Sequence, residues 1–439
     1  MHCKWADDTR LPSLNCLIWK SFKRFPTTLE WARFRGYARR VRGLKGYGTL
    51  NILSPEVSLV LQLCATNEPL FPHLKTLELH GTIGEFTPLI PSLLSPNTTV
   101  IDISFCSCDL PEAVIASVVI TFPRLCPNLR KITLDDLPRD LMITTAVSGL
   151  LLASNRDTLR SFHVDSPLTE EAREVIYRLP DLRELSVVIE GDTSFPSVVL
   201  PNLVNLTITY DRGSDWLRAF RGATFGKLEV VTFQPESERI GDFIEAFEQV
   251  ALATSAHNTL SGFRLYTKYP WNPNCYSLLP FTRLTDLVIE FSCDGGCSSR
   301  VDDDIVINLA RTMPKLEGLQ LGGPPCREIP TGVTVKGLVA LANQCPDLLD
   351  LRIHFEVASL STPPAIPRTT SDARSTAPRG DCALTCLEVG KIPVTSESVT
   401  VVAVTLGRIF PHMEAIDYFD ENWEKVVDAI CVSREIIDC

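Results

Sequence analysis

The sequence predicts an α/β solenoid, a curved horseshoe with short parallel strands on its concave side and helices on its convex side. Three observations predict it. A P-x-L-x-x-L-x-L frame, plainest at Pro72, Leu74, Leu77 and Leu79, returns along nearly the whole chain. The stretches between copies carry apolar residues at helical spacing. Successive copies start 21 to 36 residues apart, against about 20–29 for the standard unit built on this frame.

The copies can be read directly. Prolines introduce those at Leu129, Ile132 and Leu134; at Leu182, Leu185 and Val187; at Leu203, Leu206 and Ile208; at Leu316, Leu319 and Leu321; at Leu348, Leu351 and Ile353; and at Met413, Ile416 and Tyr418. Copies without the proline begin at Thr98, Leu159, Leu228, Leu260, Leu284 and Leu384, which brings the total to thirteen. This is the wording of a leucine-rich repeat. The three frame residues point into a shared core, and the strand between the last two pairs only with strands of neighbouring units. Amphipathic helices are expected over 112–122, 169–179, 304–313 and 335–345.

Length alone would suggest two or three domains for 439 residues. A solenoid adds core with every unit, so one run of units is expected over residues 46–420. Residues 1–45 form a basic segment and capping helix before it, and 421–439 a capping helix after it, with Trp423, Val426, Val427, Ile430 and Cys431 on one face. The Ser, Thr and Pro of 358–381 cannot bury a core and read as a flexible insertion. A long helical pattern over 238–257 enlarges one unit, and Pro270 to Pro273 mark a turn.

Residues 1–45 carry eleven Lys and Arg against Asp7, Asp8 and Glu30, a net +8 on a chain of net −11. Thr27 to Glu30 has the form of a capping box, and Trp31, Phe34, Ala38 and Val41 recur at helical spacing, leading to a degenerate first unit at Val41 to Leu44. The arginines read either as a nucleic-acid or acidic-lipid patch or as the solvated face of a capping helix. The second is preferred, because exposed aromatics are not interleaved with them.

No apolar run approaches the roughly 18–20 residues that span a bilayer, so no membrane association is expected. The N-terminus lacks a signal-peptide pattern, so a cytoplasmic or nuclear location is expected, with the fifteen cysteines reduced. The close pairs Cys106 and Cys108, Cys293 and Cys297, and Cys382 and Cys386 have no second pair at zinc-finger distance, so structural thiols are expected and no metal.

Trp31, Phe34, Tyr37, Ala38, Arg39, Arg40, Val41, Arg42 and Leu44, followed by Phe71-Pro72-His73-Leu74, together with Cys126-Pro127-Asn128-Leu129 and Cys345-Pro346-Asp347-Leu348, resemble the fungal-type F-box/leucine-rich-repeat proteins. The resemblance implies a protein-protein interaction module, the substrate-recognition part of an F-box ubiquitin-ligase receptor. Before the repeats stand only Leu11-Pro12-Ser13-Leu14 and Leu17 to Ser21, so the F-box itself is expected to be missing or truncated. A Skp-type adaptor and a cullin are then partners only where an F-box is restored upstream. The alternative is a stand-alone leucine-rich-repeat binding scaffold with no ubiquitin-ligase role.

Catalytic signatures are missing. The stretch from Gly222 to Leu228 is one residue short of a phosphate loop and has Leu where magnesium needs Ser or Thr. No His-x-x-x-His pair or Gly-x-Ser-x-Gly elbow occurs. Asp302, Asp303 and Asp304 read as a helix N-cap rather than a cation site. The expectation is therefore no enzyme, no cofactor and no nucleic-acid partner, but a monomer that binds a protein target.

Strand side chains alternate, so the residues flanking the second and third frame positions face outward on the concave sheet. That row collects Glu78, His80, Asp102, Asp135, His163, Asp165, Glu184, Arg264, Tyr266, Asp286, Glu290, Asp350 and His354 as candidate partner-binding residues. Its acids, with Glu388 and Asp417, outnumber Lys131, Arg264 and Arg352 and point to a basic target. The alternative, acids merely solvated on an acidic protein, stays open.

Overall fold

Alternation within each frame copy produces one short strand, and the computed structural model places these strands side by side. It describes residues 24–47, 55–65, 68–81, 84–106, 110–153, 158–190, 199–210, 223–235, 258–267, 278, 280–291, 301–322, 332–360, 382–390, 394–418 and 421–437. Fourteen strands make up a large parallel sheet, in sequence order and not closed into a barrel, accompanied by helices. The chain divides into two compact units, Met1–Val188 and Ile189–Cys439.

In the first unit the ladder runs through β1 (Gly43–Tyr47), β2 (Thr76–His80), β3 (Val100–Ser104), β4 (Lys131–Asp135), β5 (Ser161–Pro167) and β6 (Glu184–Ile189) as far as Val188. Register follows the frame: Leu44 stands opposite Leu77, Leu77 opposite Ile101, Ile101 opposite Ile132, and Ile132 opposite Phe162. Strand β1 crosses residue 45, so the degenerate first copy joins the ladder.

The second unit holds β8 (Asn205–Tyr210), β10 (Val230–Pro235), β11 (Gly262–Thr267), β12 (Asp286–Phe291), β13 (Gly318–Leu321), β14 (Asp350–Ile353), β15 (Cys386–Gly390) and β16 (Ala415–Tyr418). Again like faces like: Val231 with Leu206 and Phe263, then Leu287, Leu319, Leu351, Leu387 and Ile416 in succession. A separate pair, β7 (Val199–Leu200) and β9 (Thr224–Phe225), lies beside Gly226. A Cβ there would stand 2.7 Å from the Pro201 carbonyl oxygen, so the glycine permits close backbone approach. Gly222 lies outside the described residues.

One hydrogen-bond device repeats. The carbonyl one residue after the first frame position accepts two successive N–H groups from the next copy: Arg42 from Lys75 and Thr76, Lys75 from Thr99 and Val100, Thr285 from Glu317 and Gly318, Thr385 from Glu414 and Ala415. Hydroxyls beside the frame add to it, as Thr158 donates to the Leu129 carbonyl at 2.8 Å and Thr259 to that of Leu228 at 2.6 Å. Backbone groups that turn into each strand are thereby satisfied inside a core, where an unpaired one would cost about 1–3 kcal/mol. Every frame residue is buried except Tyr418, which is half-buried.

Helices fall close to the expected windows. Thr169 caps Glu170–Ile176, Asp302 caps Asp303–Thr312, and Thr334 caps Val335–Gln344, each through its side-chain oxygen. The 112–122 window instead contains Glu112–Val119 and a separate turn, Phe122–Leu125. Pro123 lacks an N–H and crowds the residue before it, which breaks the helix there. The expected insertion begins with an ordered turn, Val357–Leu360, whose Leu360 is buried; residues 361–381 lie outside the described residues, as do 238–257, the turn at Pro270 to Pro273, and Leu11 to Ser21. Trp423, Val426 and Ile430 of Glu421–Ile437 face the core, with Trp423 edge-on to Phe355 at 6.3 Å. Cys431, expected on that face, is exposed, because it lies about 100° beyond Ile430 on the helix.

Candidate functional site

The outward row can be built strand by strand. In the first unit Glu78 and Asp102 stand opposite each other in register on β2 and β3. Lys45, at the matching offset on β1, reaches Glu78 at 2.7 Å. Asp102 receives Lys131 Nζ at 2.9 Å on one oxygen, and His80 Nε2 stands 3.3 Å from the other without hydrogen-bonding it. His163 Nε2 meets Asp135 Oδ1 at 2.7 Å. These contacts are mostly diagonal between neighbouring strands, at a separation long side chains cross easily.

Asp165 behaves differently from its neighbours. Its carboxylate accepts the backbone N–H groups of Asp136 and Leu137, the latter at 3.0 Å. Asp136 has φ 57°, a left-handed conformation that Asp tolerates and that turns its amide toward this acceptor. Burial pushes the Asp165 carboxyl up from its ordinary value, opposed by those two bonds and assisted by the nearby Asp135 and Asp136 charges. On β6 the alternation ends: Ser186 and Val188 are buried along with the frame residues, and Glu184 alone stays exposed.

In the second unit the bases are arginines. Arg264 grips Asp286 through Nε and Nη2 at 2.8 and 2.7 Å, and Arg352 Nε meets Glu388 at 2.9 Å. Gln320 Nε2 donates to Glu290 at 3.0 Å. Gly318 makes room for this arrangement, since a Cβ there would stand 2.9 Å from Asp286 Oδ1. Tyr266 is partly exposed beside Arg264, and His354 is half-buried at the end of its strand. Burial raises the Cys386 thiol, and the nearby Asp350, Asp417 and Glu388 charges raise it further. Burial likewise raises Glu388, partly offset by Arg352. Glu184, Asp350 and Asp417 make no ion pair with a described residue.

Of the row's acids, Glu78, Asp102, Asp286 and Glu388 meet a Lys or Arg, Asp135 lies beside an imidazole, Asp165 and Glu290 accept from uncharged donors, and Glu184, Asp350 and Asp417 make no ion pair with a described residue. Sequence reading missed Lys45 and Gln320. Both occupy the offset between the second and third frame positions, the signal that could have found them.

The chemical options are narrow. His80, Asp102 and Asp135 each offer a ligand atom within 4.8 Å of the others and could hold a cation. The Lys131 ammonium already supplies positive charge to Asp102 at 2.9 Å. Ser104 Oγ donates to Asp136 Oδ2 at 2.6 Å, away from either imidazole. The Asp302–Asp304 run caps helices: Asp302 accepts from Ile305 N at 3.0 Å, and Asp303 accepts from Thr334 N, Thr334 Oγ1 and Gly337 N of the next helix. Burial pushes the Cys126 and Cys345 thiols up to about 12, far from thiolate chemistry at neutral pH. No described helix is long and apolar enough to cross a membrane. No family model matches the chain, and no curated protein matches it.

Proposed function

We propose that the protein is a protein-binding module, a leucine-rich-repeat solenoid whose parallel strands line a concave recognition face and whose helices form the convex side. The observation that carries this reading is the strand register. It sets the outward residues of successive copies beside one another, so polar side chains from neighbouring copies within each unit make an extended surface suited to a protein target. Following the resemblance to F-box/leucine-rich-repeat proteins, the module acts as the substrate-recognition part of a ubiquitin-ligase receptor, in the cytoplasm or nucleus. In the second unit, Asp350 and Asp417 are the acids left to meet a basic segment of the target, with Tyr266 as an anchor.

The test is capture of the cellular target, identified by crosslinking, followed by binding measurements across salt. Reversing Asp350 and Asp417 to Lys should weaken binding by at least about tenfold and flatten its salt dependence. Unchanged affinity in the double variant would place the target elsewhere. A stand-alone scaffold is the second reading, favoured by a recognition row that draws on strands alone. Co-purification with a Skp-type adaptor and cullin separates the two.

A further inference from the structure

The helix Thr28–Ala38 presents two unlike faces. Inward, Ala38 is buried while Trp31 and Phe34 stack at 4.8 Å, with Phe34 6.2 Å from Phe71. Outward, Leu29, Arg33 and Tyr37 follow at i, i+4 and i+8 and form one stripe. Leu29 is 64% exposed, Tyr37 66%, and Phe25 just before the helix 65%. Gly36 flanks the stripe with nothing within 4 Å of where a Cβ would lie, so another backbone could approach closely. Arg24, Arg35 and Lys45 are paired with Glu30, Glu68 and Glu78. Arg33, Arg39 and Arg40 make no ion pair with a described residue, and Arg40 sits 5.9 Å from the Tyr37 ring. The preference for a merely solvated face rested on a lack of interleaved exposed aromatics, and Phe25 and Tyr37 remove that premise.

We propose that this stripe docks an acidic amphipathic helix of a partner protein. The partner's apolar side chains lie on Leu29, Tyr37 and Phe25, while its carboxylates meet Arg33, Arg39 and Arg40. Exposed aromatic and arginine side chains together are the composition of interface centres, where lysine is depleted. A nucleic-acid strand fits less well. The Trp31 and Phe34 rings stack on each other, and Leu29 has nothing to offer a phosphate. Residues 1–23 are not a suitable occupant, since Lys4, Arg10, Lys20 and Lys23 outnumber Asp7 and Asp8 and share the sign of the arginines.

The test uses the full chain and a fluorescein-labelled helical peptide of about 16 residues, four turns, with Leu and Phe on one face and Glu on the other. Anisotropy should report saturable binding that weakens with salt, and a scrambled peptide of the same composition should bind at least about tenfold more weakly. R33E/R39E/R40E and, separately, L29A/Y37A should each lower affinity at least about tenfold while circular dichroism stays unchanged, because all five side chains are exposed. Absence of saturable binding overturns the proposal, as does full affinity in both variants. Preferential binding of a labelled oligouridylate would instead make the surface a nucleic-acid site, and concentration-dependent self-association that excludes the peptide would make the occupant a second copy.

Discussion

The outward rows of the two units answer one problem in two ways. In the first unit, Glu78 and Asp102 are held by lysines, imidazoles lie beside Asp102 and Asp135, and Asp165 accepts backbone N–H groups. In the second, acids are held by two arginines and an amide. The carboxylate that stabilises backbone also sits in different layers. Asp165 lies in the row itself and fastens the turn at Asp136, whereas Asp303 lies on a helix and reaches forward to the N-terminus of the next. The first unit thus commits a row residue to structure, while the second satisfies its helices from outside the row and leaves Asp350 and Asp417, like Glu184 in the first, without an ion pair to a described residue.

Adjacent residues on opposite faces give the largest test of this contrast. Phe162→Ala and Phe263→Ala empty fully buried frame positions and should each cost about 3–5 kcal/mol in denaturant unfolding. His163→Ala and Arg264→Ala, one residue on, should each cost under about 1 kcal/mol, since they remove partly exposed pairs. Equal losses on both faces would break the period-two reading.

Next come the two structural carboxylates. Asp303→Ala and Asp165→Ala each strand backbone N–H groups and should cost about 1–3 kcal/mol, whereas Asp350→Asn and Asp417→Asn should stay within about 0.5 kcal/mol. Gly337→Ala should also destabilise, because its Cβ would stand 2.8 Å from Asp303 Oδ1. A stable Asp165→Ala protein would erase the distinction between the rows.

Thiol reactivity shows where the units agree. Peptide-resolved alkylation at pH 8 should label Cys106 and Cys431 in the native protein, whereas Cys126 in one unit and Cys345 in the other should react only on unfolding.

The smallest effects concern pH. Asp165 and Glu388 both have folded-state values raised above their unfolded ones by burial. Their contribution to stability is therefore complete below the unfolded value and is lost as pH rises through the folded one. Glu30 runs the other way. The Arg24 hydrogen bond and the Thr27 capping bonds lower it to about 2, so its contribution is present above its ordinary value near 4.5 and is lost as pH falls toward about 2. Carboxyl carbon titration by NMR should find Asp165 and Glu388 above, and Glu30 below, the same groups in unfolded protein.

The amino-acid sequence by itself determined the strand positions of the frame copies, the inward direction of Leu77, Phe263 and their equivalents, and the caps at Thr27 and Asp302. These depend on local periodicity and on groups three residues apart, which the chain carries wherever it goes. Only the tertiary structure decided that Lys45 meets Glu78, that Arg264 takes Asp286, that Asp165 turns to the backbone of the preceding copy, and that Asp303 reaches Gly337. Each of those contacts is between residues more than twenty positions apart, on strands or helices brought together by intervening segments of unequal length. The exposure of Tyr37 and Phe25 beside arginines that make no ion pair with a described residue was decided there too. A helical pattern shows which residues share a face, whereas the packing of Trp31 and Phe34 toward Phe71 chooses which face is turned to water.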